Sequence, residues 1–305
     1  MDPDKLRIGT AGWSYPKGEG RWAGIFYPKG TRDELGYYSR RFNVVEVNVS
    51  FYRPLSPRMV ESWVKRTPES FEFTVKLYQK FTHPKMYAET QGASEPATQK
   101  DVEQFKRGLD PLMKAKKFGC LLAQFPPSFK KDVATLGYLQ ELLESFKDYP
   151  VVVELRHGSW RRIPDVLNLL NTYRASWVWI DEPKFTTSVK QSFEPVGPIY
   201  YLRLHGRNRE MWWKKEAGEH RYDYLYSETE LQAFSQAIQA NADRVKKVYV
   251  IANNHYRAKA AVNAIQLKAQ LRLPVTGTYN PELVKEYPQL AELIKVEAQK
   301  ASDGK

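Results

Sequence analysis

The chain of 305 residues is 42% hydrophobic and carries 47 Lys and Arg against 35 Asp and Glu, a formal charge of +12, with a single cysteine. This is enough for a substantial core, as one large α/β domain or two smaller ones, while the unpartnered Cys120 excludes a disulfide scaffold and points to a reducing compartment. The opening MDPDKLRIGTAGW has no apolar stretch of signal-peptide length and no later run reaches bilayer thickness, so a soluble, cytoplasmic protein without membrane contact is expected; its basic balance favours anionic partners or is simply a solvated surface.

The first apolar run of strand length is Leu6–Gly9, and the helical pattern Asp33–Arg41 follows it after a long connection. Val44–Val49 and Pro57–Lys65 make the second strand and helix; Phe71–Lys76 and Asp101–Lys117 make the third. Cys120–Phe125 with Val133–Phe146 is the fourth unit, and Val151–Leu155 with Pro164–Asn171 the fifth. Trp177–Asp181 is the sixth strand, followed by the weakest helical pattern, around Phe185–Phe193. Ile199–Leu204 with Glu228–Ala240, then Val248–Ala252 with Arg257–Leu271, complete the series.

Near-continuous Val, Ile, Leu and aromatic strands alternating with helices describe parallel strands covered by helices. Eight such units predict an α/β fold, a single (β/α)8 TIM barrel over residues 1–275, rather than an open doubly wound sheet. Neither GxGxxG after the first strand nor GxxxxGK(S/T) anywhere supports a dinucleotide or nucleotide fold. Residues 276–305 are expected to form a C-terminal extension outside the barrel, with Leu283, Tyr287, Leu290 and Ile294 as an apolar stripe interrupted by Pro288 and a disordered ASDGK end.

The connections Thr10–Gly30, Leu77–Gln99 and Gly206–Ser227, after strands one, three and seven, exceed the usual few residues and leave the carboxyl ends of strands, the face where barrel enzymes carry their sites. To the same rim the strands deliver polar groups. In VVVELRHGSW, Glu154 and Arg156 share one face of an otherwise apolar strand, which is costly unless they are paired, solvated or used. Glu46 and Asn48 share a face of the second strand, Lys76 ends the third, Gln124 nearly ends the fourth and Asp181 ends the sixth. Arg203 and His205 share a face at the end of the seventh, and Asn253 and Asn254 close the eighth. Glu46, Glu154, Asp181 and His205 are therefore candidate catalytic groups.

Each has a structural alternative, since a Glu on one strand can form a buried pair with an Arg on another. His157 falls opposite Arg156 and reads as a turn or helix-side residue, and His83 and His255 equally suit loop hydrogen bonding. The loop HGRNREMWWKKEAGEHRYDYLYS interleaves Arg207, Arg209, Lys214, Lys215 and Arg221 with Trp212, Trp213, Tyr222, Tyr224 and Tyr226, a pattern that suits a phosphate, a stacked base or a sugar, or simply pins the loop. Trp13, Tyr52 and Trp160 pose the same choice elsewhere on the rim. No cofactor is required: Glu46, Glu154, Asp181 and His205 could supply a divalent metal site, but Lys76, Arg156 and Arg203 from the same rim repel such an ion unless they neutralise those carboxylates or face the substrate, and no HExxH or closely spaced Cys/His cluster occurs, so a metal is the less favoured alternative.

GTAGWSY with WAGIFYP, VEVNVSFYR, FTVK followed by FTHP, LLAQFPPSF, VELRHGSW, YLRLHGR and VYVIANNHYRAKAAVNA together resemble the DUF72 family, also called YecE-like proteins. The resemblance covers Ile8 to about Leu271 and implies a TIM-barrel fold without an established reaction. It also implies that Trp13, Glu46, Asn48, Phe51, Tyr52, Lys76, His83, Gln124, Glu154, Arg156, Trp160, Arg203, His205, Gly206, Asn253, Asn254 and Asn263 occupy motif positions. Ala11, Ala252 and Ala258 depart from the commoner residues there.

The resulting expectation is a hydrolase acting at the rim on an anionic, phosphate-containing or polyhydroxylated small molecule, with Lys76, Arg156, Arg203 and Arg207 holding charge. The alternatives are a noncatalytic nucleic-acid-binding protein and a glycoside hydrolase built on the paired carboxylates.

Overall fold

Helices begin where a side chain can accept from the first free backbone N–H groups. In the computed structural model, which describes residues 2–92 and 95–298, Ser56 caps Pro57–Lys65. Capping boxes open Gln99–Lys114, Val133–Ser145 and Glu228–Asn241 through Thr98 and Asp101, Asp132 and Thr135, and Ser227 and Glu230. Three of these helices start where expected, at Pro57, Val133 and Glu228, and one start is shifted. The helix expected from Asp101 starts at Gln99, because Asp101 is the inner partner of the box, and Lys116 beyond its end takes a positive φ of 56°.

The strands are β1 Leu6–Ala11, β2 Val44–Val47, β3 Glu72–Lys76, β4 Phe118–Gln124, β5 Val151–Glu154, β6 Ser176–Trp177, β7 Trp179–Asp181, β8 Ile199–Leu204 and β9 Lys247–Ala252. All pair in parallel in the order β6-β5-β4-β3-β2-β1-β9-β8-β7. β6 and β7 are two halves of the expected sixth strand, parted at Val178. The first half pairs with β5 through Val152–Ser176 and Val153–Trp177, the second with β8 through Trp179–Leu202 and Asp181–Leu204. One broken stave thus brings the two edges together, and the sheet is a nearly closed, TIM-barrel-like α/β fold.

The segment Phe185–Phe193, expected to be helical, is an extended loop instead. Its backbone bonds are spent on the end of the fifth stave, with Val189 N donating to Arg156 O (2.8 Å) and Gly158 N to Thr187 O (2.7 Å). Gln191 fills the gap in the sixth stave: its Nε2 donates to Val178 O (2.7 Å) and its Oε1 accepts from Ile180 N (3.1 Å). A side-chain amide thereby replaces a missing ladder pair, as a buried backbone requires.

Two further departures shape the rim. The second strand stops at Val47, and a helical turn over Val49–Tyr52 follows, held to the third strand by Ser50 Oγ donating to Lys76 O (2.6 Å). The long connection after β3 folds into Gln79–Thr82 and Pro84–Gln91, with His83 between them. At the other end of the chain, Leu283, Tyr287 and Leu290 are buried and Ile294 packs partly against the same core. Asn280 Nδ2 donates to Ile25 O (2.9 Å), tying this segment to the loop after β1. Residues 299–305 lie outside the described residues. Among the described residues no helix is long and apolar enough to cross a membrane.

Candidate functional site

Because side chains alternate along a strand, Tyr201, Arg203 and His205 of β8 and its exit climb the barrel axis on one face. Arg203 becomes the hub of a buried ion network at the carboxyl end. Its Nε and Nη2 donate to Glu46 Oε2 (2.9 Å) and Oε1 (2.6 Å), and its Nη1 donates to Glu154 Oε2 (2.5 Å) and Gln124 Oε1 (3.0 Å). Tyr201 Oη adds a bond to Glu46 Oε2 (2.8 Å). Glu154 keeps its other oxygen for Arg156 Nε (2.7 Å), and Arg156 Nη1 stands 3.4 Å from Glu182 Oε2. The register that sets Gln124 beside Glu154 on neighbouring strands puts both within reach of the one guanidinium.

The electrostatics follow from that pairing. Burial raises the Glu154 pKa, but Arg203 and Arg156 outweigh it and hold the carboxyl well below its ordinary value. Burial likewise works against the charge on Arg203, and Glu154 with Glu46 reverses the effect. Glu182, where burial dominates over the pull of Arg156, is raised. The His205 ring lies among these cations, Nε2 at 3.2 Å from Arg156 Nη2 and Nδ1 at 2.8 Å from the Asn253 carboxamide. Burial, then Arg203 and Arg156, lower its pKa to about 3, so the ring is uncharged near neutrality.

Above this floor opens a cavity of about 600 Å³. Its charged lining groups are Lys76, Arg156, Arg203 and Arg221, and among the described residues no carboxylate lines it. Asn48, Gln124 and Asn253 supply amides, His83 and His255 imidazoles, and Tyr15, Phe51, Tyr52, Trp212, Trp213 and Tyr222 an aromatic wall. Burial, then the cations of Lys76 and Arg156, lower the His83 pKa to about 3. Tyr52 and Trp213 remain 65% and 60% exposed at the mouth, each with one side against a neighbouring ring, Phe51 and Phe185. Asn48 Oδ1 and His255 Nδ1 are buried without a hydrogen-bond partner among the described residues. Unmet polar atoms on a cavity wall are what a ligand or its water satisfies.

The structure brings Asn48, Tyr52, Lys76, Gln124, Arg156, Arg203 and Asn253 to this cavity, with Glu46, Glu154 and His205 in the buried network beneath. The remaining candidates lie apart. Asp181 binds Arg207 through two bonds (2.8 and 2.9 Å) and accepts from Tyr226 Oη (2.6 Å), while Arg207 also reaches Glu230. Trp160 is buried in a stack on Phe129 and donates to its carbonyl, Trp13 packs edge-on to Trp63, and Asn254 binds Asn263 Oδ1 and Tyr224 O. These three build the loops that frame the site. His157 forms a bridge to Ser188 and binds Ser159, a turn residue.

Tyr15 and Met86, not candidates by sequence, also line the cavity, and His83 and His255, which equally suit loop roles by sequence, face it too. The signal for Tyr15 was its place in the long loop after β1, but only the folded loop turns it toward His255, with ring centroids 4.4 Å apart. Among the described residues no group of three or more His, Cys, Asp or Glu converges as a metal site.

The model of the family described as "Protein of unknown function DUF72" matches residues 7–288. UPF0759 protein YunF of Bacillus subtilis is 31% identical over 287 residues, spanning 89% of this chain and 96% of that protein. The crystal structure of a DUF72 family protein from Thermotoga maritima superposes with a TM-score of 0.75 at 35% identity, covering 88% of this chain and 99% of the other. That of a DUF72 family protein from Enterococcus faecalis gives 0.76 at 28% identity, covering 90% and 99%.

Proposed function

The chain belongs to the DUF72 family, and from the geometry of its rim we propose that it is a hydrolase of an anionic, phosphate-bearing small molecule held in the cavity. The observation that carries this reading is the sorting of charge: the guanidiniums of Arg156, Arg203 and Arg221 line the cavity beside the Lys76 amine, while the carboxylates of Glu46 and Glu154 lie under it, bound to Arg203 and Arg156. Phosphoryl transfer asks mainly for positioning and for preorganised positive charge on the transferring oxygens. Arg156 and Arg203 meet that need, because their carboxylate partners fix both forks before a ligand arrives. Asn48 and Gln124 are the amides placed to orient water, with Asn48 Oδ1 as a free acceptor.

In this reading Glu46 and Glu154 act through the arginines rather than on the substrate, and His205 is an uncharged spacer between them. Glycoside cleavage has less support, since it needs one carboxyl protonated beside the scissile bond, whereas Glu154 is held ionised and neither carboxylate lines the cavity. The test is turnover of p-nitrophenyl phosphate against p-nitrophenyl glycosides, with inorganic phosphate as competitor. The phosphate ester should be cleaved, and Arg221→Ala should raise KM about tenfold, the worth of one charge-assisted hydrogen bond. Among the described residues Arg221 otherwise makes only a bond to Gly218 O, so the fold should be unaffected. No phosphate binding by calorimetry and no ester cleavage would remove the reading.

A second reading is favoured by the two exposed aromatics, Tyr52 and Trp213, beside the basic seventh loop: single-stranded nucleic acid stacked across the mouth, without catalysis. Affinity for a labelled oligonucleotide should then fall steeply with salt, and exchanging Lys214, Lys215 and Arg221 together for Ala should flatten the slope by about three. An unchanged slope in that variant sinks this reading.

A further inference from the structure

We propose that Lys76 is an imine-forming amine, condensing with the carbonyl of a phosphorylated aldehyde or ketone bound in the rim cavity. The inference rests on the cavity being an anion site, which places the ligand, and not on the hydrolytic step. Lys76 ends β3 and is half-buried on the cavity wall, with Nζ 4.0 Å above the Phe51 ring. Among the described residues that Nζ makes no hydrogen bond and no ion pair. The charges that act on it most are committed elsewhere: Glu46 and Glu154 to Arg203, and Arg156 to Glu154 and Glu182. A buried amine left beside two guanidiniums, with the neighbouring carboxylates already neutralised, favours its uncharged form.

The titration agrees with the geometry. Burial first, then Arg203 and Arg156, outweigh the opposing pull of Glu46 and Glu154 and bring the Lys76 pKa to about 7. A nucleophilic lysine needs this free-amine fraction near neutrality. Nζ adds to the carbonyl carbon and one of its protons passes to the carbonyl oxygen; the C–O bond then breaks as the nitrogen lone pair forms C=N, and the departing hydroxyl takes up the remaining N–H proton and leaves as water. No oxidant or reductant is consumed. His83, an uncharged ring packed edge-on to the same Phe51 at 4.9 Å, helps hold that aromatic face beneath Nζ. Arg221 and Arg156 on the same wall hold the phosphate.

The experiment treats the full chain at pH 7 with equimolar pyridoxal 5′-phosphate, reduces with borohydride and maps the adducts by peptide mass spectrometry. Pyridoxal, which lacks the phosphate, and excess inorganic phosphate run in parallel. Lys76 should be labelled at least about tenfold more than any exposed surface lysine, because an ordinary lysine is only about one part in a few thousand free amine at that pH. Labelling should rise through about pH 7. Lys76→Arg and Lys76→Met should lose this adduct alone, with circular dichroism reporting their folding; wild-type mapping decides the matter if either fails to fold. Adducts spread over surface lysines with no preference for Lys76 would overturn the inference. Phosphate binding by calorimetry without Lys76 labelling overturns the imine but keeps the anion site. Equal labelling of Lys76 by both aldehydes, without phosphate protection, keeps the imine and overturns the anion site.

Discussion

Arg203→Ala is expected to lower folding stability by about 3–5 kcal/mol, because it strands two buried carboxylates that share one guanidinium. The cost comes from Glu46 and Glu154 left without their common partner, more than from the lost bonds themselves. Glu46 would keep only Tyr201, and Glu154 only Arg156 with the nearby His205. Lysine should not restore the loss. A single ammonium cannot reproduce three nitrogens aimed at Glu46, Glu154 and Gln124 together. Urea denaturation at pH 7 measures the effect; a loss under about 1 kcal/mol would mean that the network is not what holds the rim together.

Stability should also decline from about pH 6.5 downward, earlier than paired carboxylates alone would allow. His205 and His83 are buried and uncharged, with folded pKa values of about 3 against an ordinary value near 6.5. Between those values the unfolded chain binds more protons than the folded one, so stability rises with pH across that window and falls as pH drops through it. Each ring should cost about 2–3 kcal/mol by pH 4.5. Half-buried His255, lowered by burial to about 4, adds in the same direction. Glu154 acts later: its depressed folded pKa gives stability that is present above the ordinary carboxylate range and lost as pH falls toward the folded value. Urea midpoints at pH 7 and pH 5 check the sequence of events, and equal midpoints would show that the two histidines are not buried uncharged.

The strand pattern and its exit polarity placed the rim well because alternation fixes which face a residue takes. Glu154 and Arg156, two residues apart, do touch. Alternation carries no information on height in the barrel or on angle around it. Asp181 shares the rim with Glu154, yet it is taken up by Arg207 and Tyr226 away from the cavity. Composition was equally silent on the aromatics. Trp160 and Trp213 are the same residue type in rim loops, but one is stacked on Phe129 inside and the other stands exposed at the mouth. The loop after the sixth stave was misread because its polar and aromatic residues fit a helix locally. Gln191 and the backbone near Thr187 are instead consumed by repairs to neighbouring staves.

The sequence by itself determined the α/β class, the number of staves and the end of the barrel that gathers polar groups, since these depend on local periodicity. Only the tertiary structure decided that the carboxylates lie beneath arginines, that the sixth stave breaks at Val178, and that Lys76 has no hydrogen-bond or ion-pair partner among the described residues. Those outcomes turn on contacts such as Glu46 with Arg203, 157 residues apart in the chain. The stagger of closed parallel strands sets such contacts, and no local pattern encodes it.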